Sequence, residues 1–201
     1  MSTKPIFIGL LILVLSLGNS RPLSAESIQY VYNEKNSRVD FTLRHLGIIT
    51  VQGHFKIFYG SFSFNPQKIE PSNVNISIQT GSVDSGFPIR DQHLRSKNFF
   101  DTADHPLITF VGKNFEAVTD THFNIHGDLT IHGITRPVVF VTDMLPKPKG
   151  APDTTHIFFH SETFIKRKDF HLGTGNLFDP ILFLTDETLK ISLEVEGIPT
   201  G

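Results

Sequence analysis

The densest set of groups able to hold a charged ligand is Arg90-Asp91-Gln92-His93-Leu94-Arg95-Ser96-Lys97. An arginine fork bonds a phosphate or carboxylate through two parallel N–H groups, and a protonated imidazole adds charge beside it. His93 and Arg95, with Asp91 next to them, therefore form a candidate seat for an anionic head group. On a helix Asp91 and Arg95 stand four apart and share a face. The same residues also fit a solvated helix with an ordinary ion pair, which contributes little. A second cluster, Arg167-Lys168-Asp169-Phe170, follows an expected strand and precedes a glycine loop. Arg167 is a less direct third donor to the same anion, and the plain alternative is a basic turn.

Ten histidines raise the question of a metal. His122 and His126, like His156 and His160, are four apart on expected strands. That separation is about 13 Å, too long for one ion whose bonds to nitrogen are roughly 2.1 Å. They fit scattered surface groups on wet faces, and no metal is expected. HExxH, the P-loop, GxGxxG and GxSxG are absent, so no nucleotide, cofactor or serine nucleophile is called for. A lipid-modifying enzyme working through His93 and Asp91 is the catalytic alternative, but no third orienting residue or oxyanion motif accompanies the pair.

The elements that must position these groups are strands. From His122 to His132, Phe123, Ile125, Gly127, Leu129 and Ile131 alternate with polar residues. Val39, Phe41 and Leu43 alternate in the same way, as do Leu189, Ile191, Leu193 and Val195. A period of two gives each strand one dry face, which an antiparallel sheet must bury. The pattern predicts strands over 28–32, 38–44, 48–59, 73–80, 107–111, 121–131, 136–143, 156–165 and 188–196. Within 48–59, Val51, Gly53, Phe55, Ile57 and Tyr59 share one phase, and the phase slips at Gly60, where a bulge or bend is expected. Pro88 can open a helix, and residues 89–96 lack alternation, so a short helical insertion is expected there. Residues 144–153 and 173–180 read as exposed loops.

A sheet of about eight strands closes into a barrel that either holds one small ligand or fills with its own side chains. There are 19 phenylalanines and no tryptophan. These fit an aromatic core or the lining of a site for a long apolar chain. The inward candidates are Phe41, Leu43, Phe55, Ile57, Ile76 and Phe110.

Residues 1–25 carry the pattern of a cleaved export signal: Lys4, an apolar run over 6–18 too short to span a bilayer, and small residues at Ser24 and Ala25. Cleavage is expected after Ala25, leaving 26–201 as one domain with no stable membrane insertion. The leader holds Lys4 and Arg21 and no acid, so its loss makes the net charge of −2 more negative. That argues against a nucleic-acid surface. Without cysteine there are no disulfides, thiol chemistry or zinc–thiolate sites. A homodimer is compatible with the sequence.

Several stretches, in order, resemble the YceI-like family. They are Ser37-Arg38-Val39-Asp40-Phe41-Thr42-Leu43-Arg44-His45-Leu46-Gly47 with Val51-Gln52-Gly53-His54-Phe55, then Arg90 to Ser96 running into Phe99-Phe100-Asp101, His105-Pro106 and Phe110. Gly127-Asp128-Leu129-Thr130-Ile131-His132-Gly133-Ile134-Thr135-Arg136-Pro137-Val138 and a closing Asp186-Glu187 follow. The resemblance implies an all-β, lipocalin-like antiparallel barrel exported to the bacterial periplasm. It implies a polyisoprenoid or similar long-chain lipid in the lumen and no established catalysis. It also adds weight to a head-group role for His93 and Arg95. One departure stands out: after Arg167-Lys168-Asp169-Phe170 the family often has glycine, where this chain has His171.

Overall fold

Alternation decides where each side chain points, and the computed structural model describes residues 27–45, 49–65, 73–150, 155–173 and 185–200. The leader and its expected cleavage point lie outside these residues. The chain forms β1 (Ile28–Tyr32) and, after a turn over 33–37, β2 (Arg38–His45). β3 (Ile49–Phe55) and β4 (Phe58–Phe64) follow, then β5 (Val74–Gln79), a 3-10 turn at Thr80–Ser82 and the short β6 (Val83–Asp84). One helix, α1 (Pro88–Arg95), interrupts the strands and has its proline in the first turn. β7 (Leu107–Ala117), β8 (His122–Ile131), β9 (Ile134–Leu145), β10 (Ile157–Lys166) and β11 (Thr185–Pro199) complete the chain, with a 3-10 turn at Arg167–Phe170 after β10.

All pairings are antiparallel. β4 pairs with β1 while β3 pairs with β2, and β5 pairs with β4 while β6 pairs with β3. These six strands therefore make three bent staves. β5 pairs with β7, and β7 to β11 then pair in sequence. β11 closes the ring on β1 and β2. The result is an eight-stave closed barrel in which every stave lies beside its neighbours in the chain, as the periodicity predicts. Reversal at each stave sends α1, the β8–β9 turn and the turn after β10 to one end. The start of β1, the end of β11 and the β7–β8 turn go to the other.

β8 shows why the wall forms. Phe123, Ile125, Gly127, Leu129 and Ile131 are buried, and the intervening polar residues are half-buried. At Gly127 a β-carbon would stand 2.4 Å from the Val111 carbonyl and 2.5 Å from the Phe110 ring. Glycine there lets Phe110 lie across the wall. Gly53 does the same for Phe41.

The expected long strand over 48–59 is corrected. The structure breaks it at Lys56 and Ile57, so the phase slips before Phe58 rather than at Gly60. Phe58, Phe62 and Phe64 point inward, whereas Ile57 is 47% and Tyr59 45% exposed. Ile57 is not a lumen residue. A turn adds residues without alternation, and the apparent phase of Ile57 does not survive it.

Candidate functional site

The barrel interior is apolar. Phe41 meets Phe55 at 5.7 Å in a tilted pair, and Phe55 meets Phe100 edge-on at 5.5 Å. Phe110 meets Phe140 at 4.9 Å. Of the expected lumen residues, Phe41, Leu43, Phe55, Ile76 and Phe110 are all buried. Ile76 and Phe110 also line an internal cavity of about 60 Å³, with Phe64, Phe115, Phe123, Ile125, Phe140, Phe159, Leu193 and Val195 around it. Phe159 packs edge-on against Phe62, Phe64 and Phe123. A few polar groups enter: Thr142 and Ser161 share a hydrogen bond of 3.0 Å, and Tyr32 borders the same space. Burial pushes the Tyr32 phenol above its ordinary value, so its hydroxyl stays protonated. Most of these residues were absent from the expected lining, although alternation around Phe123, Ile125, Leu193 and Val195 already marked them as dry. Thr142 and Ser161 were missed because short hydroxyl side chains resemble the wet face.

The helical end closes the barrel. Leu94, Phe99, Phe100, Phe170 and Leu172 belong to the same buried core as the strands. Gly173 N–H donates to the Asn98 carbonyl at 2.7 Å, tying the turn after β10 to the segment after α1. His93, Arg95, Asp91 and Arg167 therefore lie at one end of the barrel, as the sequence implies.

Their partners differ from expectation. Asp91 is buried and accepts from the Ser85 backbone N–H at 2.8 Å and from the Ser85 hydroxyl. Arg95 donates through Nε to the Gly81 carbonyl at 2.9 Å and through Nη2 to the Val83 carbonyl at 2.6 Å. The Asp91–Arg95 ion pair of the alternative reading is thus not made, because Ser85 holds Asp91 and the Gly81 and Val83 carbonyls hold Arg95. His93 packs edge-on against Phe99 at 5.3 Å, and Arg167 is buried in its turn. Asp91 is turned toward Ser85, which does not favour it as the carboxylate of a catalytic pair with His93. His171 adopts φ 55°, the left-handed region that glycine enters freely. The turn thus keeps the conformation that glycine would supply.

The histidines on the outer wall sit beside carboxylates. His122 Nδ1 lies 2.7 Å from Asp143, His126 Nε2 3.2 Å from Glu116 and His160 Nδ1 2.7 Å from Glu194. Among the described residues no helix is long and apolar enough to cross a membrane.

Comparisons with known proteins agree with this architecture. A family model for the YceI-like domain matches residues 30–197. A UPF0312 protein of Azotobacter vinelandii is 35% identical over 184 residues, covering 90% of this chain and 91% of that protein. BcnA of Burkholderia cenocepacia superposes with a TM-score of 0.74 at 22% identity, covering 82% of this chain and 98% of its own. A polyisoprenoid binding domain from Saccharophagus degradans superposes with a TM-score of 0.65 at 16% identity, covering 86% and 99%. At these identities the two structures speak for the fold.

Proposed function

Since the chain belongs to the YceI-like domain family, we propose that it is an exported, periplasmic, non-catalytic protein that holds a polyisoprenoid or other long-chain amphiphile in its lumen. The observation that carries this reading is the interior itself: aromatic and aliphatic side chains line the cavity, with only a few hydroxyls among them. A structural relative described as a polyisoprenoid binding domain supports the choice of ligand. Each buried methylene contributes about 0.8 kcal/mol, enough for a long chain to offset the ordering it requires. The chain enters by displacing rings, because about 60 Å³ is far below the roughly 300–1,000 Å³ of ordinary ligand pockets. Phe123 and Phe159, in edge contact, are the rings placed to turn aside. An anionic head group would sit at the helical end with His93 and Arg167. Asp91 and Arg95 hold α1 in place there.

The small cavity also favours a second reading, a barrel filled by its own phenylalanines. Native mass spectrometry of protein from its own cells, with solvent extraction, separates the two and also reports whether the protein is a homodimer. A bound lipid of polyprenyl mass, lost in a folded Val195→Phe protein, supports the first. Ligand-free protein that takes up no added polyprenol supports the second. For the head group, His93→Gln should weaken a polyprenyl phosphate roughly tenfold, about one charge-assisted bond, and leave the matching alcohol unchanged. Equal weakening of both would make His93 structural.

A further inference from the structure

The corner between α1 and the β8–β9 turn holds three groups that lipid binding does not use. Asp101, His105 and His132 each place one ligand-type atom within 4.8 Å of the other two. Backbone contacts hold them there. The His105 N–H donates to the Asp101 carbonyl at 2.7 Å, and the Thr80 hydroxyl donates to the His105 carbonyl at 2.9 Å. Asp101, at φ 47°, donates its own N–H to the Ser96 carbonyl at 2.9 Å. His132 and Gly133, at φ 52° and 71°, make the two-residue turn between β8 and β9, and positive φ at both positions marks the hairpin type whose twist matches the strands. A β-carbon on Gly133 would stand 2.7 Å from His105 Cε1. Glycine thus leaves room for the His105 ring, which meets His132 edge-on at 4.9 Å.

The polar accounting of this corner is incomplete. Asp101 is only 8% exposed, and among the described residues its carboxylate makes no hydrogen bond. His132 Nε2 lies 4.0 Å from it, beyond hydrogen-bond range, and the carboxylate keeps some contact with solvent. His132 Nδ1 is buried with no partner. The carboxylate thus stands beside two imidazoles with no protein hydrogen bond, a donor set open to a ligand.

We propose that Asp101, His105 and His132 form a binding site for a divalent metal ion of the zinc type. Two imidazoles and a carboxylate are the donors that borderline transition ions take, whereas calcium and magnesium need mainly oxygen ligands. Tetrahedral bonds of about 2.0–2.1 Å place ligand atoms roughly 3.3 Å apart. Small side-chain rotations therefore close the group around an ion.

The test is a titration of untagged, chelator-stripped protein with Zn²⁺ by calorimetry and with Co²⁺ by visible absorption. One ion per chain is expected, with Co²⁺ bands of a low-coordinate nitrogen–oxygen site. His105→Ala and Asp101→Asn should each weaken binding at least roughly tenfold. His132→Asn should do the same while folding normally by circular dichroism, since asparagine enters the left-handed region readily. His126→Ala, on the outer face of β8, should leave binding unchanged. The proposal is overturned if folded wild-type protein binds no ion. It is equally overturned if His105→Ala and His132→Asn bind as tightly as wild type, or if His126→Ala abolishes binding.

Discussion

Two buried acids at opposite ends of the barrel have different fates. Glu196, near the end of β11, is 1% exposed. Its carboxylate takes hydrogen bonds of 2.6 Å each from Asn33 and Asn36 and lies 2.6 Å from His156 Nδ1. Asp101, at the helical end, is 8% exposed; among the described residues its carboxylate makes no hydrogen bond, and His132 Nε2 lies 4.0 Å away. Burial is similar, but satisfaction is not. The first acid locks the turn between β1 and β2 onto β11. The second is held by its backbone, and among the described residues its carboxylate makes no hydrogen bond. The partners of a buried charge distinguish structure from site more sharply than burial does.

The largest effect should come from breaking the satisfied end. Glu196→Ala strands two amides and an imidazole and is expected to cost about 3 kcal/mol in denaturant unfolding. The loss should depend on pH. Burial disfavours the Glu196 carboxylate, but hydrogen bonds from His156, Asn36 and Asn33 outweigh this and hold it below its ordinary value of 4.5. A depressed folded value means that the contribution is complete above about pH 4.5 and fades as pH falls through the folded value. The gap between wild type and Glu196→Ala should therefore narrow in acid, and a gap that widens would refute the assignment.

At the helical end Arg95→Met should cost about 2 kcal/mol, because it removes charge-assisted bonds to the Gly81 and Val83 carbonyls while keeping an apolar stem. Thermal unfolding with and without lipid separates this loss from any change in binding. Asp101→Asn in metal-free protein should fall within about 0.5 kcal/mol of wild type or stabilise it, since no hydrogen bond is lost. A cost approaching that of Glu196→Ala would erase the contrast between the two acids. The smallest effect is a gain: His171→Gly relieves a left-handed backbone and should stabilise by at most about 0.5 kcal/mol, the strain relieved less the extra freedom of the unfolded glycine and the side-chain interaction lost. Equal or lower stability would mean that the His171 side chain offsets its backbone strain.

Most of the wall was legible in the residues. β8 alternates without interruption, and each residue takes the face its position implies. Pro88 opens α1 where the alternation stops. The errors cluster in the bent staves. Ile57 seemed to continue the inward phase of Phe55, but a turn hidden between two alternating runs reset the count. The candidate head-group residues were found as a cluster, yet Arg95 and Asp91 took partners from the segment around Gly81 and Ser85 rather than each other.

Local chemistry along the chain thus determined the strand faces and the helix start, because each depends on neighbours a few residues away. Tertiary structure alone decided how tightly the buried phenylalanines fill a closed ring, since volume depends on all eight staves at once. It alone brought His132 to Asp101 and His105. No spacing rule joins a hairpin turn to a loop some thirty residues earlier. Closure of the barrel put both at one end, and the left-handed backbones at Asp101 and His132 aimed them into one corner.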